Sequence, residues 1–151
     1  MKIFNNLNIP KKYKRSLLAV GNFDGAHKGH QKVFEYIRKF TKKSKSKFGI
    51  LTFSPLPVMF FNKKIKNYRL ASEDEKFQLL KKYGVNFVIN IKFNKNFSKI
   101  KAEDFVKNII FKKINPSRVF VSNNFKFGNK RKGNVNLLKR LSQNYNYKLL
   151  N

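Results

Sequence analysis

The chain contains no cysteine. Disulfide frameworks, thiolate metal sites and cysteine nucleophiles are therefore excluded, and a reducing compartment fits. Carboxylates are scarce, with 7 Asp and Glu against 35 Lys and Arg in 151 residues. Long apolar runs are lacking as well. The N-terminus has no unbroken apolar stretch of the signal-peptide kind, and no run reaches membrane-spanning length. A cytoplasmic protein with no membrane partner is the expectation. There is no internal repeat and no long linker, and histidine occurs only twice, at His27 and His30.

What is present is enough to fold. Hydrophobic residues make up 41% of the chain, which suits one domain around one core. The net charge of +28 has two readings. It can mark a polyanion partner such as nucleic acid. It can also be compositional drift, since Lys, Asn, Ile and Phe recur everywhere and lysine far outnumbers arginine. The lysines are scattered rather than gathered on one helix face, so a nucleic-acid partner is not expected.

Strand and helix signals alternate along the chain. Ser16 to Val20 is a short apolar run ending at Gly21, and Phe48 to Phe53 is a second, stopped by Ser54-Pro55-Leu56-Pro57. Between them Val33, Phe34, Ile37 and Phe40 recur at helical spacing, predicting a helix over 29–40 and a basic loop over 41–47. Ser72 and Glu75 form a capping-box pattern, Phe77, Leu80 and Tyr83 an apolar stripe, and Gly84 a left-handed stop. Val85 to Ile91 reads as a third strand and 102–111 as an amphipathic helix with Phe105, Val106, Ile109 and Ile110 inward. Arg118 to Val121 reads as a fourth strand. A glycine-containing mobile loop over 125–134, a helix over 135–141 and a fifth strand over 147–150 complete the pattern. This alternation predicts an α/β, Rossmann-like fold: a parallel sheet with helices on both faces. Ligands of such sheets sit at the carboxyl ends of the strands. The distinctive segments 21–30, 54–61, 92–100 and 122–133 all fall there.

The first of these segments carries chemistry. Gly21 and Gly25 permit a tight turn close to a ligand, and Gly29 removes a side chain where the helix begins. The free amides and the dipole of a helix start favour phosphate. His27 and His30 flank that start and can donate hydrogen bonds to phosphate oxygens. A zinc site is the rival reading, but no obvious third ligand stands nearby. Asp24 either binds a group on the ligand or fixes the turn through its own backbone.

Gly21-Asn22-Phe23-Asp24-Gly25-Ala26-His27-Lys28-Gly29-His30 resembles the nucleotide-binding signature of prokaryotic FAD synthetases, of the HxGH nucleotidyltransferase type. Leu51 to Pro57, Leu70 to Gly84, Ala102 to Val106 and Val121 to Gly128, followed by Arg131-Lys132-Gly133, resemble that family's later motifs in the same order. The resemblance implies transfer of AMP from ATP to FMN, giving FAD and pyrophosphate, with Mg2+ carried by ATP. By resemblance His27, His30 and Asn124 are catalytic. Gly21, Asn22, Phe23, Asp24, Gly25 and Gly29 contact ATP. Pro55, Pro57, Phe61, Phe105 and Phe127 line the flavin side, where an aromatic wall suits an isoalloxazine ring. For each Phe the alternative is ordinary core, most of all for Phe105, which also fits the helix stripe.

The sequence departs from the family pattern at Leu56, where histidine is usual, and at Ser122 and Asn123, where Gly-Glu is usual. A Ser-Ser-Thr-x-x-Arg-type motif and a riboflavin kinase domain, both usual in the family, do not occur within these residues. The expectation is that 1–151 is the FAD synthetase domain without its C-terminal end, impaired in activity, with a separately encoded remainder as a candidate partner. The alternatives are a sister HxGH nucleotidyltransferase and a basic nucleic-acid-binding protein.

Overall fold

The structure, a computed structural model, describes residues 1–24, 28–65 and 72–150, and for residues 28 and 29 the backbone alone. A six-stranded sheet runs through it in the order β1-β4-β3-β2-β5-β8. Its strands are β1 (Lys2–Phe4), β2 (Leu17–Val20), β3 (Phe48–Ser54), β4 (Phe87–Lys92), β5 (Arg118–Phe120) and β8 (Lys148–Leu150). Every neighbouring pair is parallel. The expected α/β, Rossmann-like architecture is thus observed.

The apolar runs that announce the strands are unbroken because both faces of the sheet are covered. All four residues of β2 are buried. Leu17 and Ala19 pack with Phe34 and Ile37 of α1 (Lys28–Ser44) and with Leu80 of α3 (Glu73–Lys82). Leu18 and Val20 face the other way, onto Val106, Ile110 and Ile114 and onto Leu138 of α6 (Val135–Tyr145). Each large side chain so buried contributes about 1.5–3 kcal/mol.

Helix ends follow their capping chemistry. Ser72 accepts from the Glu75 N–H at 3.2 Å, and the Glu75 carboxylate accepts from the Ser72 N–H at 2.7 Å. The second bond, with the Ser72 hydroxyl, holds the Glu75 carboxyl below its ordinary value. Gly84 closes α3 with φ +79°, as its position predicts. At the far end of the sheet Tyr147 is buried and its hydroxyl donates to the Leu138 carbonyl at 2.6 Å. Burial, and secondarily Tyr145, push its phenol well above the ordinary range.

Four features differ from the sequence reading. α1 continues through Thr41–Ser44 into the expected basic loop, and Lys45 (φ 52°) then turns the chain. β1 was not foreseen; three residues, only one of them partly covered, give no periodic signal. The helix expected over 102–111 begins as α5 (Ala102–Asp104) and continues to Ile114 as a π-helix (Phe105–Ile114). Its wider turn places Phe105 with Ile110 and Ile109 with Ile114, all buried, and the Asn115 N–H reaches back five residues to the Ile110 carbonyl at 2.7 Å.

The fourth difference is the segment expected as a mobile loop over 125–134. It forms an antiparallel pair, β6 (Lys126–Phe127) with β7 (Gly133–Asn134). The Asn129 N–H donates to the Ile100 carbonyl at 2.7 Å and its side chain to the Ser98 carbonyl at 3.2 Å. Gly128, at φ +74°, lies so close to Ala102 that a Cβ there would stand 2.7 Å from the Ala102 Cα. The hairpin is therefore fastened onto the loop that leaves β4. Polar composition suggested mobility, but long-range contacts decide the conformation.

Candidate active site

The strand order reverses between β2 and β5: the chain steps from β2 outward to β3 and β4, then returns to the other side of β2 for β5 and β8. Loops that leave neighbouring strands in opposite directions open a crevice at their carboxyl ends. A cavity of about 1170 Å³ lies there.

Its first end is built by the turn after β2. Gly21, Asn22, Phe23 and His30 line it, with Asn124 from the turn after β5. The Gly21 N–H donates to the Leu51 carbonyl at 3.1 Å, ending the sheet ladder. Phe23 then takes a left-handed conformation (φ 50°) and buries its ring, 5.2 Å from the His30 ring and 5.5 Å from that of Phe34. The aromatic contacts hold the His30 imidazole on the first turn of α1. Asn124 is exposed, and its Oδ1 accepts from the Ser122 hydroxyl at 2.9 Å. The Phe125 N–H donates to the Ser122 carbonyl at 3.0 Å, so Ser122, one of the sequence's departures, orients the Asn124 amide.

The second end is aromatic. Phe61 is 68% exposed at the end of α2 (Pro57–Phe61). From it a chain of rings runs inward: Phe93 at 5.9 Å, Phe97 at 5.6 Å from Phe93, then Phe105 at 6.4 Å and Phe127 at 5.2 Å. Phe125 stacks on Phe127 at 5.5 Å. Pro57, at the first position of α2, also lines the cavity. The basic Lys126, Lys130 and Arg131 stand on its hairpin side, the last two in left-handed conformations.

A scan against protein-family models matches residues 9–151 to the FAD synthetase family. The chain belongs to the FAD synthetase family. Among curated relatives it is 36% identical to the bifunctional riboflavin kinase/FMN adenylyltransferase of Buchnera aphidicola subsp. Schizaphis graminum, over 99% of this chain and 48% of that protein. It is 28% identical to the protein of the same name from Escherichia coli K12, over 87% of this chain and 42% of the other. It is 33% identical to the FAD synthetase of Listeria monocytogenes, over 89% and 54%. The chain spans about half the length of the curated relatives it matches. Among solved structures, a Streptococcus pneumoniae protein described as a macrolide-efflux protein superposes with TM-score 0.78 at 22% identity, covering 98% of this chain and 48% of that one. Pantoate-beta-alanine ligase from Francisella tularensis superposes at TM-score 0.55 and 16% identity, over 99% and 66%. At these identities both similarities concern the fold.

The residues expected at the site divide as follows. Gly21, Asn22, Phe23, His30, Asn124, Pro57, Phe61, Phe105 and Phe127 all line the one cavity. Asp24 and Pro55 do not line it; Pro55 follows Ser54 through a cis peptide bond. Gly25 and His27 lie outside the described residues, and the Gly29 position is described in its backbone only. Phe93 and Phe97 were missed, although the segment 92–100 was expected near a ligand. Nothing in a Phe-rich sequence separates a wall residue from a core residue. Leu56, where the family usually has histidine, is buried and sends no side chain into the cavity.

Among the described residues no three His, Asp or Glu side chains gather as metal ligands, and no helix is long and apolar enough to cross a membrane. Exposed lysines are spread over α1 (Lys32, Lys39, Lys42, Lys43), α3 (Lys81, Lys82) and the π-helix (Lys107, Lys112, Lys113), on opposite faces of the sheet. No single basic face forms from them.

Proposed function

We propose that residues 1–151 form an FMN adenylyltransferase domain, which joins FMN to the adenylyl group of ATP and releases pyrophosphate. The observation that carries this reading is one continuous cavity with two chemically different ends. A turn and helix start suited to phosphate stand at the strand-order reversal, and a wall of rings suited to a flavin stands beside it.

In the reaction, a phosphate oxygen of FMN forms a bond to the α-phosphorus of ATP. The bond from that phosphorus to the bridging oxygen breaks, and pyrophosphate leaves with the electron pair. Mg2+ carried by the ATP would supply charge neutralisation on its phosphates. His30, with His27, donates to phosphate oxygens as charge builds on them. Asn124 steadies the reacting phosphates from the β5 side. Gly21, Asn22 and Phe23 receive the nucleotide, with Asp24, Gly25 and Gly29 as further contacts to it, while Pro57, Phe61, Phe105 and Phe127, together with Pro55, hold the flavin. Catalysis rests on positioning and charge stabilisation, without a covalent enzyme intermediate.

Incubation of the purified chain with FMN and ATP–Mg2+ tests this. FAD and pyrophosphate forming in equal amounts, with no product from pantetheine phosphate or nicotinamide mononucleotide, is the expected result. Turnover of either alternative acceptor in preference to FMN contradicts it.

A further inference from the structure

A lysine at the fourth position of α3 has no obvious place in the fold. Lys76 is only 6% exposed, although lysine is almost never buried unless it is held by polar partners. It sits four residues before Leu80, on the stripe that faces the sheet, where an apolar residue would pack. It also lies at the start of a helix, the end where the dipole disfavours a cation. Burial and dipole both oppose this residue, so packing alone does not explain it.

Its ammonium donates to Thr52 Oγ1 at 2.9 Å. Thr52 is fully buried and is the one polar residue in the run from Phe48 to Phe53. The Thr52 hydroxyl in turn donates to the Asn22 carbonyl at 3.1 Å. A cation donating to a hydroxyl oxygen polarises it and strengthens the bond that the hydroxyl gives onward. The carbonyl at the end of this relay belongs to the peptide between Asn22 and Phe23. Fixing that peptide plane fixes φ of Phe23, the residue in the left-handed conformation that a bulky side chain disfavours. Asn90 stands opposite Thr52 on β4, and its Oδ1 is buried with no hydrogen-bond partner among the described residues. Polar groups thus concentrate where the two strands end beneath the turn.

We propose that Lys76 is a positioning residue for the nucleotide: through Thr52 it locks the Asn22–Phe23 peptide and so presets the turn that receives the ATP phosphates. This rests on the functional reading given above and adds to it a control point outside the cavity.

The test uses the whole chain and the variants Lys76→Met, Thr52→Val, Lys76→Met with Thr52→Val, and Thr52→Ser. ATP–Mg2+ binding is followed by titration calorimetry and FMN binding by quenching of flavin fluorescence. Thr52→Val keeps the side-chain volume and removes both bonds, so ATP should bind about tenfold more weakly. Lys76→Met should do the same, and the double variant should be no worse than either single one, because one relay is broken in all three. Thr52→Ser, which loses packing but keeps the hydroxyl, should bind ATP as the wild type does. FMN affinity should not change in any of them. Thr52→Val with wild-type ATP affinity, or additive losses in the double variant, or an equal loss of FMN binding, overturns the inference while leaving the functional reading intact. A wild-type chain that binds no ATP overturns both. If Lys76→Met fails to fold, the contrast between Thr52→Val and Thr52→Ser decides.

Discussion

The two ends of the cavity are built in opposite ways. The end proposed for phosphate comes mainly from one stretch after β2, joined by Asn124 from the turn after β5, with His30 and Phe23 only seven positions apart and their rings in contact. The aromatic end is assembled from α2, the segment after β4, the π-helix and the β6–β7 hairpin, whose rings meet only in the folded chain. A local site needs its glycines and histidine in fixed order. A distributed wall needs only rings of adequate size delivered to one place, so it is held by packing and by the fastenings of the hairpin. The first should lose chemistry on mutation with little loss of stability, and the second should do the reverse, except at its exposed rim.

The largest effect is expected at the local end. Replacing His30 with Ala removes the donor proposed for the phosphates and should lower kcat/KM for FAD formation by about 100- to 1000-fold. FMN binding should stay as it is; a parallel loss of FMN affinity would mean that the two ends are not separable.

Gly128→Ala strikes the distributed end through its fastening. The added methyl meets the Ala102 backbone, and the left-handed φ disfavours any side chain. A loss of about 3 kcal/mol in unfolding free energy is expected from denaturant titration. Weaker FMN binding should accompany it in the fraction that remains folded. Unchanged stability would show that the hairpin is not fastened as described.

Phe61→Ala probes the rim of the same wall. The ring is mostly exposed, so stability should hardly move, while FMN should bind about tenfold more weakly, the worth of one stacked ring. ATP affinity should be untouched.

The smallest effect lies behind the local end, at the α3 capping box. Ser72→Ala should cost about 1 kcal/mol of stability. The Glu75 carboxyl is depressed in the folded chain, so its contribution is present above its ordinary value of 4.5 and is lost as pH falls through the lower folded value. In Ser72→Ala the hydroxyl's share of that depression disappears while the bond to the residue 72 N–H remains. Thermal melting of the wild type and Ser72→Ala should therefore differ most near neutral pH, and the gap should narrow under acid without closing, because the hydroxyl's bond from the Glu75 N–H is lost at every pH. A constant gap at all pH values would mean that the Ser72 hydroxyl does not contribute to the depression of the Glu75 carboxyl.

Much of this was legible in advance, and the boundary has a physical cause. The runs at β2 and β3 and the helical stripe of α1 are periodic, and periodicity follows from local backbone geometry. Capping at Ser72 and the left-handed Gly84 are likewise local, so both were readable. The end of α1 was read too early because its last turn, Thr41–Ser44, offers little apolar periodicity. The π-helix was read as ordinary helix because its inward residues Phe105, Val106, Ile109 and Ile110 satisfy both spacings.

By itself, the sequence determined the alternation of strand and helix and the parallel sheet covered on both faces. Each depends on residues near one another along the chain. Tertiary structure alone decided that Phe93 and Phe97 join Phe61, Phe105 and Phe127 in one wall, that residues 126–134 are a fastened hairpin rather than a loop, and that Lys76 reaches Thr52 and, through it, Asn22. The joins from Phe61 to Phe93, Phe105 to Phe127, Asn129 to Ser98, Lys76 to Thr52 and Thr52 to Asn22 each span more than twenty residues, and no local pattern encodes which ring or which lysine will be brought to them.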